Sequence, residues 1–189
     1  MVSSMRSPER ITPDLLEACR RGDRDAFDRL VDACRDRVYS LAWHLSGSET
    51  VAGDITQDVF VKLLTRIAQF RHEAEFTTWL YRIVANTSAD YRRAVRRLVA
   101  MDDVSRTLTQ PASQERRVDR AETAAHVRRA LTRLAPRFRV PLVLRYVEDL
   151  SYEEIGRVLR ISQGTVASRL SRGLRHLGRE LHGLAADRE

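Results

Sequence analysis

Thr165, Ser168, Arg169, Arg172 and Arg175 recur at three- and four-residue steps, so a helix would carry them on one face. A guanidinium can bond two acceptors on one guanine edge, and hydroxyls can serve bases or phosphates. A second set, Arg82, Asn86, Arg93 and Arg97, has the same periodicity and offers an amide beside a row of cations. Both sets suit a polyanion read by hydrogen bonds rather than bond-making chemistry. The five histidines, His44, His72, His126, His176 and His182, form no HExxH and no other ligand spacing. No glycine-rich phosphate loop or nucleophile motif is present. Cys19 and Cys34 lie in helical-looking segments without a CxxC or Cys/His cluster and read as small buried residues. No catalytic residue, metal site or cofactor is expected, and an enzyme is disfavoured.

The charge is placed to match. The chain of 189 residues carries a formal +7, of which residues 1–90 contribute −2 and residues 91–189 contribute +9. This asymmetry points to a polyanion met mainly by the second half, leaving the first half free for another partner. A membrane surface is the competing polyanion, but no helix pairs a cationic face with a broad apolar face beyond what a core needs. Apolar runs of a few residues fall far short of the roughly 20 needed to cross a bilayer, so no membrane insertion is expected. The opening MVSSMRSPERITPD lacks the apolar stretch of a secretory signal, and the expected location is cytoplasmic.

Nearly every segment reads at helical period, which predicts an all-α protein of two small helical domains joined by a flexible linker. Thr12 and Pro13 suit a helix start and Gly22 its end. In the next segment Phe27, Leu30, Val31, Cys34, Val38, Leu41, Ala42 and Leu45 form one stripe that ends near Gly47. A third helix, about 50–67, places Ile55, Val59, Phe60, Leu63, Leu64 and Ile67 inward and Asp54, Gln57 and Asp58 outward. Residues 68–76 read as a loop, after which Thr77 can cap a helix with Leu80, Ile83, Val84, Thr87 and Tyr91 inward. Periodicity fades from Leu98 to Val118, so the expected divisions are 10–97, a linker at 98–118, and 119–182.

DLSYEEIGRVLRISQGTVASRLSRGLRHL, residues 149–177, has the layout of a helix-turn-helix. Ser151 and Glu154 make a capping box, with Tyr152, Ile155, Val158 and Leu159 as the packing face. Arg160 and Ile161 form the turn, Ser162 caps the second helix, and Val166, Leu170, Leu174 and Leu177 hold it to the domain. Gly164 lets the start of that helix approach a DNA backbone closely.

Three stretches in this order, DITQDVFVKLL, FTTWLYRIVANTSADYRR and LSYEEIGRVLRISQGTVASRLSRG, resemble regions 2.2, 2.3–2.4 and 4.2 of extracytoplasmic-function (ECF) sigma factors of the sigma-70 family. The resemblance spans Asp14 to Leu181. It implies a promoter-specificity subunit whose region 2 docks on core RNA polymerase and melts the minus-ten element, while region 4 reads the minus-thirty-five element. Carried over by motif, Asp54, Gln57 and Asp58 contact the β′ clamp helices, and region 4 meets the β flap. The minus-ten DNA set is Phe76, Trp79, Arg82, Asn86, Asp90, Arg92, Arg93, Arg96 and Arg97. Within it, Asn86 and the loop at 69–76 hold a flipped base, and Trp79 either lines that pocket or packs in the core. The minus-thirty-five set is Ser162, Gly164, Thr165, Ser168, Arg169, Arg172 and Arg175. An anti-sigma partner is a further implication. The chain departs from the family pattern at Gly53, Arg160 and Ala167. A stand-alone helix-turn-helix regulator with an N-terminal sensing or dimerisation domain is the alternative.

Overall fold

The computed structural model describes residues 11–70, 75–101 and 120–186, and among them every regular element is helical. Helix α1 (Pro13–Arg20) starts where Thr12 Oγ1 accepts from the Leu15 N–H at 3.2 Å. Helix α2 (Arg24–Ser46) is capped by Asp23, whose carboxylate accepts from the Ala26 N–H at 3.0 Å, and ends at Gly47 with φ 78°. Ser48 caps α3 (Glu49–Arg66), and a short 3-10 turn at Ile67–Gln69 follows. Helix α4 (Phe76–Met101) completes the first module, with Ala52, Ile55, Val59 and Leu63 of α3 and Leu80, Ile83 and Val84 of α4 buried against α2.

The second module comprises α5 (Arg120–Arg133), α6 (Pro136–Tyr146), α7 (Tyr152–Leu159) and α8 (Gln163–Ala186). Pro136 sits in the first turn of α6, where its missing N–H leaves no bond unmade. Val166 and Leu170 of α8 close over Leu142, Val143 and Ile155. The buried residues of the two modules form one continuous cluster running from Leu15 to Leu170.

Several sequence expectations require correction. Thr77 does not cap α4. The helix begins at Phe76, and the Trp79 N–H bonds to Glu75 O at 3.2 Å, because the Phe76 ring is drawn inward against Phe70 and Trp79. Helix α4 also runs past Leu98 to Met101, so the helix continues into the stretch expected to be linker. The rest of the expected linker, 102–118, and residues 71–74 of the expected loop lie outside the described residues. Leu64, read as inward, is 57% exposed and Phe60 is only partly buried. The buried stripe Ala52, Ile55, Val59, Leu63 leaves Leu64 about 100° round the helix from Leu63. Tyr152 and Leu174, also expected on packing faces, are both exposed. On α8 the buried face passes instead through Val166, Leu170 and Gly173, and a Cβ at Gly173 would stand 3.0 Å from Leu142 Cδ1.

Candidate nucleic-acid interface

The second module presents a helix-turn-helix. Ser151 Oγ accepts from the Glu154 N–H at 3.2 Å while the Glu154 carboxylate accepts from the Ser151 N–H at 2.7 Å, fixing the first turn of α7. Those hydrogen bonds, the side chain of Ser151 first and its backbone second, hold the Glu154 carboxyl below its ordinary range. The turn reverses at Arg160, whose φ of 55° puts a non-glycine residue in the left-handed region at a cost of about 1–2 kcal/mol. The tight approach within this turn is made at Gly156, where a Cβ would meet Ile161 O at 2.8 Å. Ser162 Oγ then accepts from the Thr165 N–H at 3.2 Å and pairs with the Thr165 hydroxyl at 2.9 Å, starting α8.

At 24 residues α8 is about 36 Å long, and its N-terminal half buries Val166 and Leu170 on one face while the opposite face is open. Ser162, Gly164, Ser168, Arg172 and Arg175 are exposed, and Thr165 and Arg169 partly so. All seven residues assigned to this surface from sequence therefore share one accessible side of α8. A Cβ at Gly164 would meet nothing within 4 Å, so the chain's own packing does not call for glycine there.

The first module carries a second surface on α4. Asn86, Asp90, Arg93 and Arg97 are exposed at steps of four, three and four residues, forming a single stripe. Asp90 is tied down by Arg93, a hydrogen-bonded ion pair one turn away, and by Lys62 of α3, whose Nζ lies 3.9 Å from Asp90 Oδ2. Lys62 also donates to Thr87 Oγ1 at 3.0 Å, bringing its charge beside Asn86. Sequence reading missed Lys62 because it lies 25 residues from its partner and on another helix. Arg92 is partly buried, and the side chain of Arg96 lies outside what is described.

Three residues of the expected minus-ten set are placed differently from the stripe. Phe76 is 7% exposed, with its ring 5.8 Å from Phe70, so its ring is not presented to a ligand. Trp79 is partly buried, 5.2 Å from Phe70 and 5.9 Å from Phe76, and closes this aromatic cluster at the start of α4. Arg82 precedes Asn86 by one turn, yet its guanidinium donates to Arg157 O at 2.7 Å and Val158 O at 3.3 Å near the end of α7. Burial, and then the nearby Arg160 cation, lower the Arg82 pKa from its ordinary value.

On α3, Asp54, Gln57 and Asp58 are all exposed, in agreement with their outward placement from sequence. The same side displays Val61 at 62% and Leu64 at 57% exposure, so Gln57, Val61 and Leu64 make a stripe at steps of four and three. Such an apolar edge beside carboxylates suits a partner helix carrying cations. Among the described residues no group of three or more His, Cys, Asp or Glu could hold a metal, and no helix is long and apolar enough to cross a membrane. Burial raises the Cys34 thiol to about 11 and also raises that of Cys19, which suits unreactive core residues.

Two family models match the chain: Sigma-70 region 2 over residues 30–98, and Sigma-70, region 4 over residues 125–177. The chain is 30% identical to the ECF RNA polymerase sigma factor SigW of Bacillus subtilis (strain 168), over 89% of this chain and 96% of that protein. It is 33% identical to the RNA polymerase sigma-H factor of Pseudomonas aeruginosa, over 90% of this chain and 93% of that one. Among solved structures, CnrH in complex with the cytosolic domain of CnrY aligns with a TM-score of 0.65 and 25% identity, covering 90% of this chain and 96% of CnrH. The chain belongs to the sigma-70 family, in its extracytoplasmic-function group, and the two helical modules are its regions 2 and 4.

Proposed function

We propose that the chain is a promoter-specificity subunit that directs core RNA polymerase to start transcription, with each module reading a different state of DNA. The observation that carries this reading is the pairing, in one chain, of a helix-turn-helix with exposed Ser, Thr and Arg and an exposed amide-and-arginine stripe on α4. Duplex DNA fits the first. The exposed stretch of α8 can enter a major groove, where Arg169 and Arg172 would reach base edges and Ser162, Thr165 and Ser168 would reach phosphates or bases. Arg175, farther along, suits a phosphate. A single strand fits the second surface, because an exposed amide can read an unpaired base edge while Arg93, Arg97 and Lys62 neutralise the backbone.

In this reading Asn86 meets a base flipped from the minus-ten element. Phe76 acts as a positioning residue, and the burial of Trp79 against Phe70 and Phe76 supports the same role for it, since together they brace the start of α4. Asp90 orients Arg93 and Lys62 rather than meeting DNA, as an anionic group facing phosphate would repel it. The edge of Asp54, Gln57 and Asp58, extended by Val61 and Leu64, docks on the β′ clamp helices, and region 4 meets the β flap. An anti-sigma factor that masks these surfaces, a cytoplasmic location, and the lack of any catalytic step by the chain itself belong to the same proposal.

The test is transcription by core polymerase on a pooled promoter library with and without the chain. New, sequence-selected start sites that depend on the chain support the reading. Tight binding of one duplex without polymerase, and no initiation with it, would instead indicate the stand-alone regulator.

A further inference from the structure

The backbone turns to positive φ at four described residues: Gly22 (φ 85°), Gly47 (φ 78°), Asp149 (φ 54°) and Arg160 (φ 55°). Glycine adopts this conformation without a steric penalty, and the short polar side chain of an aspartate can offset the penalty by bonding locally. Arginine has neither advantage. Nor does the fold call for it at this place. The turn after α7 is closed by the backbone, with the Ile161 N–H donating to Gly156 O at 3.1 Å, and a glycine at 160 would close it equally well. The Arg160 side chain is exposed, and among the described residues it forms no hydrogen bond or ion pair. The charge that acts on Arg82 from Arg160 is a like one. The chain thus keeps an unpaired cation at a helix end where glycine would cost least.

The position gives that cation a use. Arg160 stands two residues before Ser162, at the start of the surface assigned to duplex DNA, and with Arg157, Ser162 and Gln163 it lines a shallow recess of about 400 Å³. The one carboxylate of the recess is that of Glu153, so two guanidiniums leave it net cationic. Because the turn lies ahead of α8, a guanidinium there flanks the stretch that enters the groove and meets the sugar-phosphate backbone rather than base edges. We propose that Arg160 is a phosphate contact at the border of the minus-thirty-five element, and that the strained turn persists because its side chain adds this contact to the surface of α8. The inference rests on the functional reading above and adds a residue to it.

Salt dependence tests it. Core polymerase carrying the full chain would be titrated with a promoter duplex from about 50 to 200 mM salt. Loss of one phosphate contact lowers the slope of log affinity against log salt by about 0.9, and carrying that slope from 1 M down to 0.1 M salt gives about an eightfold loss of affinity. Arg160→Gly should show both, to the same degree on a panel of single-base variants of the duplex. The free Arg160→Gly chain should melt no lower than the unaltered one, since the left-handed residue is relieved. Arg160→Lys, which keeps the charge and the strained backbone, should retain the unaltered slope, separating the cation from the geometry of the turn. An Arg160→Gly affinity and slope equal to those of the unaltered chain would overturn the proposal. So would a loss confined to one base position, or a lysine variant as weak as the glycine one. If polymerase carrying the unaltered chain prefers the promoter duplex no more than a scrambled one, the functional reading itself fails, and the proposal with it.

Discussion

Arg139→Met should be among the most damaging single substitutions in the chain. Methionine retains much of the apolar stem but removes the guanidinium, leaving Leu45 O, Thr132 O and Leu134 O without the donor they share. A hydrogen bond involving a charged group contributes about 1.5–3 kcal/mol, but three made by one buried group do not add in full. Breaking a buried charged network by removing one partner costs about 3–5 kcal/mol, which is the loss expected here. With a urea slope of about 2 kcal/mol per molar, the unfolding midpoint should fall by roughly 1.5–2.5 M. The assay is urea denaturation followed by circular dichroism. Arg133→Met is the control: its 3.6 Å pair with Glu180 lies at the surface, so a change within about 1 kcal/mol is expected. Because Arg139 bridges the modules, its loss should also split one transition into two as regions 2 and 4 uncouple. A loss below about 1 kcal/mol with a single transition would refute the reasoning, since the carbonyls would then be satisfied without the arginine.

Arg172→Ala should weaken duplex recognition by about 1–3 kcal/mol and relax preference at one minus-thirty-five position if the side chain reads a base, as binding to a panel of single-base variants would show. Uniform weakening across the panel would make it a phosphate contact, and no change would remove it from the interface. Asn86→Ala should alter base preference at one minus-ten position in initiation assays while leaving duplex binding by region 4 intact; an unaltered preference would contradict the pocket. Val61→Asp combined with Leu64→Asp should weaken association with core polymerase at least about tenfold in a pull-down titration while leaving the melting temperature nearly unchanged, because both side chains are exposed. Glu154 has a depressed pKa in the folded chain, so its stabilising effect is present above the ordinary value of 4.5 and fades as pH falls through the lower, folded value. Glu154→Gln should therefore flatten the stability profile below pH 4.5, measured by thermal melts across pH, and an unchanged acid limb would contradict the capping role.

The helical class and most helix ends were readable because their determinants are local. Thr12, Ser151 and Ser162 each accept from the backbone N–H three residues on, and Gly22 and Gly47 adopt the left-handed turn, as their residue types suggest. Outward placement of Asp54, Gln57, Asp58, Asn86 and Arg172 followed from helical period alone. Period fails where two apolar residues stand side by side: Leu63 and Leu64 cannot both face the core, and only packing decides between them. It fails again at Gly173, which carries no apolar signal yet allows Leu142 to approach α8. The packing of region 4 on region 2 was beyond sequence because Arg82, Tyr81 and Arg139 meet partners 67 to 94 residues away. An arginine in a helical stripe announces charge, and its partner is chosen by the tertiary fold.

The division of labour between the two modules is tested most directly by promoter selection. Core polymerase carrying the unaltered chain, Asn86→Ala or Arg172→Ala would be presented with one library randomised at both promoter elements, and initiated transcripts sequenced. The account predicts that the Asn86 substitution changes selected bases only in the downstream element and the Arg172 substitution only in the upstream one. Identical selections from all three proteins, or no initiation above core polymerase alone, would contradict it.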